Sequence, residues 1–222
     1  STKQFSITVS LIALHLGHSC FQITSAKGTS IITDPYTGVG YELPMNLSAD
    51  AVTTSHAHFD HNFTQAIQTE RVINTLGGHS VADIEILGLA SWHDEKHGAL
   101  RGNNIIYKYN VDGITICHLG DLGEDISTEL TERIGKADVL MVPVGGTYTI
   151  DALQAKSLVE KVAPKIVIPM HFKGDGRLDI CDFSVFLNEF PLSIIQKTNG
   201  NRVKLEKQAL PDTLQIVCLE RK

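Results

Sequence analysis

The sequence predicts a mixed α/β protein, because its first half is rich in strand patterns and its second half alternates helix and strand patterns. In the first half, segments 5–14, 21–24 and 30–33 are rich in β-branched and apolar residues, which favours successive strands. In the second half, a predicted helix over residues 151–162 is followed by a short apolar strand. A chain of 222 residues with 42% hydrophobic content can bury one sizeable core, so we expect a single domain over residues 1–222.

Turn and capping residues bound the other predicted elements. Asp151 is the predicted N-cap of the helix over residues 151–162, and Pro164 ends it. Asp112-Gly113 is a hairpin signal. Turns are predicted over 15–19 and at 77–78, helices over 63–68, 127–134 and 181–189, and strands over 71–74, 81–90, 104–109, 114–118, 139–142, 165–169, 193–196 and 213–219.

The charge and hydropathy of the chain argue against two classes of partner. The net charge is -6 and no basic run exists, so we expect no nucleic acid partner. No stretch approaches the roughly 20 apolar residues of a spanning helix, so we expect no membrane partner. Segment 7–14 lacks the basic flank and small-residue cleavage site of a signal peptide, which favours a cytoplasmic protein.

The four cysteines, Cys20, Cys117, Cys181 and Cys218, are widely spaced and form no C-x-x-C pair. Each lies in or beside an apolar stretch, so we interpret them as small buried hydrophobic residues in a reducing compartment. A disulfide between two of them stays open at this point.

Residues 55–61 read SHAHFDH and concentrate four metal-binding side chains, His56, His58, Asp60 and His61. Imidazole and carboxylate ligands suit zinc, with manganese and iron as substitutes. The alternative is a polar surface loop that is rich in histidine. Because the run follows the apolar pair Ala51-Val52, we favour ligands that project from the end of a strand.

Three later residues have the same setting, each just past an apolar strand: His93, Asp121 and His171. His97 lies in the same loop as His93 and has the same chemistry. We prefer His93 because it follows the strand directly, where position is best defined. Four other histidines either have a structural role or orient a metal ligand through a hydrogen bond: His15, His18, His79 and His118. Of these, His18 is the best placed to line a site.

These motifs resemble the metallo-β-lactamase superfamily. An H-x-H-x-D-H run is followed in that family by a histidine, an aspartate and a histidine, as His93, Asp121 and His171 follow here. The resemblance extends to HLGHSCF at 15–21, to Asp34-Pro35 and to HLGDLG at 118–123. It is closest to the small hydrolase branch that includes sugar-lactone hydrolases.

The resemblance implies a four-layer αββα sandwich, with two mixed β-sheets face to face and helices outside. It also implies two divalent metal ions, with zinc expected and manganese or iron as substitutes. The family holds the first metal with the counterparts of His56, His58 and His93. The second is held by those of Asp60, His61 and His171, and the counterpart of Asp121 bridges both.

On this basis we expect a metal-dependent hydrolase in which a hydroxide bridging two metals attacks an ester-like bond: a lactone, phosphodiester, thioester or amide. Asp60 is the expected catalytic residue, which orients the hydroxide or accepts its proton. The partner is a small-molecule substrate, with His18, Tyr148 and Lys173 as candidate contacts.

Two other functions stay open. One is an iron-dependent, dioxygenase-like oxidoreductase on the same scaffold. The di-iron reductase branch usually has a glutamate where this chain has His58, but a mononuclear iron dioxygenase keeps the histidine run. The other is a noncatalytic metal-binding scaffold, which predicts missing ligands.

Overall fold

The computed structural model describes residues 9–221, and most of them belong to or connect β-strands. In chain order the strands are β1 (Ser10–Gly17), β2 (Cys20–Thr24), β3 (Ser30–Thr33), β4 (Leu47–Ser48), β5 (Ala51–Thr53), β6 (Ile67–Gln68), β7 (Val72–Ile73), β8 (Gly77–Val81), β9 (Ile84–Trp92), β10 (Asn103–Val111), β11 (Ile114–His118), β12 (Val139–Pro143), β13 (Ile166–Met170), β14 (Ile195–Lys197), β15 (Arg202–Glu206) and β16 (Gln215–Cys218). The helices are α1 (Thr128–Ile134), α2 (Ala152–Val162) and α3 (Ser184–Leu187), and 3₁₀ turns occupy Thr64–Ala66, Leu192–Ile194 and Lys207–Ala209.

Two large mixed sheets are formed by these strands. The six-stranded sheet has the order β15-β1-β2-β3-β5-β7, and the eight-stranded sheet has the order β14-β16-β13-β12-β11-β10-β9-β8. Hairpin-connected strands are antiparallel, whereas β3, β5 and β7 run parallel, as do β11, β12, β13 and β16. The short strands β4 and β6 form a small parallel pair of their own.

The main core lies between the two large sheets. Alternate residues of the strands face inward, so Phe21 and Ile31 of the six-stranded sheet share one buried cluster with Ile116 and Ile168 of the other. Each fully buried side chain of this size contributes roughly 1.5–3 kcal/mol relative to an exposed one. The strand alternation seen in the sequence therefore assembles the centre of the sandwich.

The helices cover the outer face of the eight-stranded sheet. Leu130 of α1, Leu158 of α2 and Phe186 of α3 pack in one buried cluster with Leu140 and Val167 of the sheet. The predicted architecture, two mixed sheets face to face with helices outside, is confirmed. The expectation of a single domain over residues 1–222 stays a prediction.

The capping prediction for the longest helix is also confirmed. The Asp151 side chain accepts a hydrogen bond from the backbone N–H of Gln154, and the Gln154 side chain accepts one from the backbone N–H of Asp151. This reciprocal pair is a capping box, and it satisfies two N–H groups at the start of α2.

Several predicted boundaries are wrong because strand pairing overrides the local turn signal. Residues 15–17 continue β1 instead of turning, and the turn begins at His18, whose φ is 50°. Gly77 and Gly78 are not a turn, since they pair with Gly88 and Leu87 in an antiparallel ladder. The first residues of the predicted strand over 5–14 lie outside the described residues.

Two predicted helices are shorter than expected, and several strands were not anticipated, among them β4, β6 and β15. Only a 3₁₀ turn forms within 63–68, because Ile67 and Gln68 extend and pair with β4. The predicted helix over 181–189 reduces to α3. β15 is an edge strand with three charged residues, so it lacks the apolar signal of the other strands.

All four cysteines lie within the described residues and are unpaired. Cys20, Cys117 and Cys218 are buried, as predicted, but the prediction is wrong for Cys181, which is exposed. Among residues 9–221, no helix has the length and apolar character that crossing a bilayer requires.

Candidate metal centre

The predicted ligands converge because their strands end at the same edge of the sandwich. The run 55–61 follows β5, His93 follows β9, Asp121 follows β11 and His171 follows β13. The parallel strands β11 and β13 point the same way, so the loops after them lie side by side. Residues far apart in sequence thereby meet in one cluster.

A first ligand set consists of His56, His58 and His93, whose ligand atoms lie within 4.8 Å of one another. The His56 ring lies 4.6 Å from that of His58 and 4.7 Å from that of His93, between centroids. His58 faces solvent, whereas His93 is 1% exposed. This set has an open side, as a catalytic zinc site requires.

A second set consists of Asp60, His61 and His171, and His18 joins it. The His18 ring lies 4.2 Å from that of His171, between centroids, and its Nε2 lies 3.0 Å from Asp60 Oδ2. His18 and His171 both have a φ near 50°. Such conformations are sparsely populated by residues other than glycine and cluster at functional sites.

Asp121 lies between the two sets. Its Oδ2 is 3.1 Å from His61 Nε2, 3.2 Å from His93 Nε2, 3.3 Å from His171 Nε2 and 3.5 Å from His56 Nε2. Two ligands bound to one tetrahedral zinc at ordinary bond lengths lie about 3.3 Å apart. Asp121 Oδ2 therefore lies at the spacing of two ligands on a common metal from histidines of both sets.

Unpaired buried atoms support the same fit. Within residues 9–221, His56 Nε2, His61 Nε2, both ring nitrogens of His171 and Asp121 Oδ1 are buried without a hydrogen-bond partner. Leaving such groups unpaired costs roughly 1–3 kcal/mol each. Metal ions at this position would satisfy most of them at once, so the donor set fits divalent metals.

Asp34 orients His61 directly and His56 through Ser55, by hydrogen bonds on the Nδ1 side of each ring. Its Oδ1 accepts the backbone N–H of Ser55 at 2.8 Å, and its Oδ2 accepts the Ser55 hydroxyl at 2.5 Å and His61 Nδ1 at 2.8 Å. Ser55 Oγ in turn lies 2.8 Å from His56 Nδ1. Hydrogen bonds at Nδ1 leave Nε2 of each ring as the ligand atom. From the sequence, Asp34 was noted only in the Asp34-Pro35 pair of the family resemblance, and its role at the site was not predicted.

Asn104 and Gly120 position Asp121. Asn104 Oδ1 accepts the backbone N–H of Asp121 at 2.9 Å, while Asn104 Nδ2 donates to Ser91 Oγ and Leu119 O. Gly120 has a φ of 56°, and a Cβ there would overlap the Asn104 and Ser55 side chains. The glycine therefore allows the close approach that brings Asp121 to the centre.

The remaining histidines have structural contacts. His118 Nε2 donates to Ser19 O, and its Nδ1 accepts the backbone N–H of Gly120. His15 Nε2 donates to His18 O. His79 contacts Thr75 at the surface.

Burial and charge set opposite protonation states across the cluster. Burial lowers the pKa of His56 to about 3 and that of His18 to about 4, so both imidazoles are neutral at pH 7. Burial alone would raise the pKa of Asp60 and Asp121. A hydrogen bond from His18 and the charge of the neighbouring His61 hold the pKa of Asp60 well below its usual range, and the charges of His171 and His61 do the same for Asp121. The neutral imidazoles of His56 and His18 and the two ionised carboxylates are in the forms that bind metal. Burial would lower the pKa of His61, but the carboxylates of Asp121, Asp34 and Asp60 raise it well above its usual range, so His61 releases a proton when it binds metal.

His97 lies apart from the cluster. It is exposed, and its ring packs against Trp92 at 6.2 Å between centroids. His93 is the residue of this loop that joins the first set. The loop is held by Asp94, whose carboxylate accepts backbone N–H groups of Lys96, Gly98, Leu100 and Arg101.

The candidate substrate contacts lie on different sides of the cluster. Lys173 and His18 line a small cavity of about 200 Å³ next to the second set. Tyr148 is 39% exposed, and the Arg101 guanidinium lies 5.6 Å from its ring centroid. Their contact with a substrate stays a prediction.

Comparison with known proteins gives matches over most of the chain. Residues 14–171 match the family described as the beta-lactamase superfamily domain. The chain is 30% identical over 187 residues to a UPF0173 metal-dependent hydrolase of Pyrococcus furiosus, covering 71% of this chain and 82% of that protein. A UPF0173 metal-dependent hydrolase of Thermococcus onnurineus is 29% identical over 188 residues, with the same two coverages.

A solved structure extends this likeness to the fold. It is a crystal structure from Thermotoga maritima, described as a candidate Zn-dependent hydrolase of the metallo-β-lactamase superfamily. It superposes with a TM-score of 0.78 and 33% sequence identity, over 95% of this chain and 98% of that one.

Proposed function

The chain belongs to the metallo-β-lactamase superfamily of metal-dependent hydrolases, and from this premise we propose that it uses two divalent metal ions to hydrolyse an ester-like bond in a small molecule. The bond is a lactone, phosphodiester, thioester or amide. The observation that carries the proposal is the meeting of two ligand sets on either side of Asp121. A noncatalytic scaffold would lack ligands, whereas all seven predicted ligand residues lie in this cluster.

In this proposal each metal would be held by three residues of its own and by Asp121, which would serve both. His56, His58 and His93 hold the first, and Asp60, His61 and His171 hold the second. Zinc fits these nitrogen and oxygen donors, and manganese and iron accept the same donors. When bound to these residues, divalent metals would supply the Lewis acidity that makes water a nucleophile near neutral pH and that polarises the oxygen of the bond to be cleaved.

Asp60 orients the reacting water. Its side chain is 13% exposed, against 2% for Asp121, so it borders the accessible side of the cluster. The low pKa of Asp60 keeps it ionised, and His18 Nε2 lies 3.0 Å from its Oδ2, which leaves Oδ1 to accept a hydrogen bond from the water. His18 acts here as a positioning residue for Asp60.

The oxidoreductase alternative is not favoured, because the relatives and the solved structure above are described as hydrolases. A test for oxygen consumption by the iron-loaded protein separates the two activities. Oxygen consumption without hydrolysis of any ester-like substrate would contradict the hydrolase proposal.

The direct test combines metal quantification with a screen over lactones, phosphodiesters and thioesters. We expect about two metal equivalents per chain and loss of turnover after chelation, restored by zinc or manganese. Asp121→Ala removes the shared carboxylate, so both metal content and turnover fall, the latter by about 100-fold or more. Asp125→Ala, at an exposed position on the loop before α1, is the matched control. Full turnover by metal-free protein would falsify the proposal.

A further inference from the structure

A cavity of about 810 Å³ opens beside the first ligand set, with His56 and His58 in its wall. This volume suits a small-molecule site. Its lining holds two arginines, Arg101 and Arg133, and no acidic residue among those described. That charge is opposite to the chain as a whole, which has 25 acidic and 19 basic residues. A positive wall in an acidic protein indicates an anionic ligand.

The two arginines differ in availability. Arg133 Nη1 donates to Ala90 O at 2.6 Å and lies 3.4 Å from Glu124 Oε1, so its charge is already paired. Within residues 9–221, no carboxylate oxygen lies within salt-bridge distance of the Arg101 guanidinium. Arg101 Nη2 donates to Thr147 O at 3.3 Å, which uses one of its five N–H groups. Arg101 is therefore the cation that a ligand in the cavity can pair with.

The backbone of Arg101 is also held in place before any ligand binds. Asp94 is 1% exposed, and its Oδ2 accepts the backbone N–H of Arg101 at 2.6 Å. The same carboxylate accepts N–H groups of Lys96, Gly98 and Leu100, which fixes the loop that carries Arg101. A cation on a fixed backbone, with its guanidinium already hydrogen-bonded to Thr147 O, loses less conformational freedom on binding, and this favours affinity.

We propose that Arg101 binds an anionic group of the substrate, a carboxylate or a phosphate, while the bond to be cleaved lies toward His56 and His58. The inference rests on the proposed hydrolase function. A guanidinium forms paired hydrogen bonds with either anion. The exposed amides of Asn74 and Asn103 line the same cavity and supply further donors, and Trp92 supplies an apolar wall for the body of the substrate.

Trp92 makes the subsite measurable without turnover, because it is the only tryptophan in the chain and lines the cavity. The metal-loaded protein is titrated with inorganic phosphate and, separately, with succinate, while tryptophan fluorescence is followed. Sodium chloride at equal ionic strength is the control for screening. We expect saturable binding of at least one of the two anions, and which of them binds distinguishes a phosphate subsite from a carboxylate subsite.

Variants then test whether Arg101 is responsible. Arg101→Gln weakens anion binding at least tenfold, whereas Arg202→Gln, an equal loss of charge on the edge strand β15, changes it less than twofold. Arg101→Lys keeps the charge without the paired geometry, so it binds at an intermediate level and replaces Arg101→Gln if that variant does not fold. Binding that is unchanged in both Arg101 variants, binding that chloride reproduces, or no saturation by either anion overturns the proposal.

A second measurement connects the subsite to catalysis. For a pair of esters that differ in one distal anion, the carboxylate or phosphate that the titration identifies, kcat/KM favours the anionic ester in the parent protein, and this preference falls at least tenfold in Arg101→Gln. An unchanged preference contradicts the inference. A failure to hydrolyse either ester counts against the proposed hydrolase function. The fluorescence titration decides separately whether the anion site exists.

Discussion

The Asp34→Asn substitution perturbs the metal centre without touching a predicted ligand. Asp34 is 1% exposed and accepts three hydrogen bonds, two from Ser55 and one from His61 Nδ1. If the new amide nitrogen takes the Oδ2 position, it faces His61 Nδ1 as a donor. The ring must then carry its proton on Nε2, which is the atom that lies 3.1 Å from Asp121 Oδ2. A protonated Nε2 cannot bind a metal.

The opposite amide orientation does not remove the conflict. The amide nitrogen then faces the backbone N–H of Ser55, so two donors meet in a buried site. Either orientation leaves one hydrogen bond unmade, at a cost on the order of 1–3 kcal/mol. We therefore expect metal affinity to fall by about 10- to 100-fold, which corresponds to about 1.4–2.8 kcal/mol. The second set, which contains His61, is affected most directly.

Competition with a chromophoric chelator measures the affinity of each metal site. Asp50→Asn is the matched control, because Asp50 Oδ2 also accepts a backbone N–H, that of Ser30 at 2.8 Å, at an exposed strand end. We expect the control to change metal affinity less than threefold. An Asp34→Asn protein that binds both metals within threefold of the parent would refute the assignment of Asp34 as the group that sets the His61 tautomer.

Two further predictions concern histidines. His93→Ala should remove about one metal equivalent, because a ligand of the first set is lost. His97→Asn should leave the metal content unchanged, and asparagine tolerates the positive φ of that exposed residue. The reverse result would exchange the roles of the two histidines. Burial lowers the pKa of His15 to about 4, below the unfolded value of 6.5, so the unfolded state binds a proton that the folded state does not as pH falls from 6.5 toward 4. Stability therefore decreases over that range, and His15→Gln should reduce the slope by up to about 1.4 kcal/mol per pH unit in denaturant unfolding at fixed metal concentration; an unchanged slope would contradict this.

Local patterns were sufficient for most of the sandwich. Strands with strong apolar character, such as β11 and β12, were predicted nearly to the residue, and so was α2 with its Asp151 cap. Failures occurred where pairing partners, and not local residues, decide the conformation. Gly77 and Gly78 resemble a turn in isolation, but the β9 ladder extends them.

The ligand run at 55–61 was visible in the sequence because four metal-binding side chains within seven residues are uncommon in a chain that holds no metal there. His93, Asp121 and His171 were also found, since each follows an apolar strand. The residues that orient them were not found. Asp34 and His61 are 27 positions apart, and Asn104 and Asp121 are 17 apart, so their hydrogen bonds exist only after the sheets have formed.

The sequence by itself thus determined which side chains are available to bind metal and the strand ends that carry them. Tertiary structure decided how they are divided into two sets around Asp121, that His93 and not His97 joins them, and that His18 contacts Asp60. It also placed Arg101 in the neighbouring cavity. The physical reason is that composition and period report on one strand or helix at a time. A metal centre depends on distances of about 3 Å between loops from different strands, which only the packed sheets define.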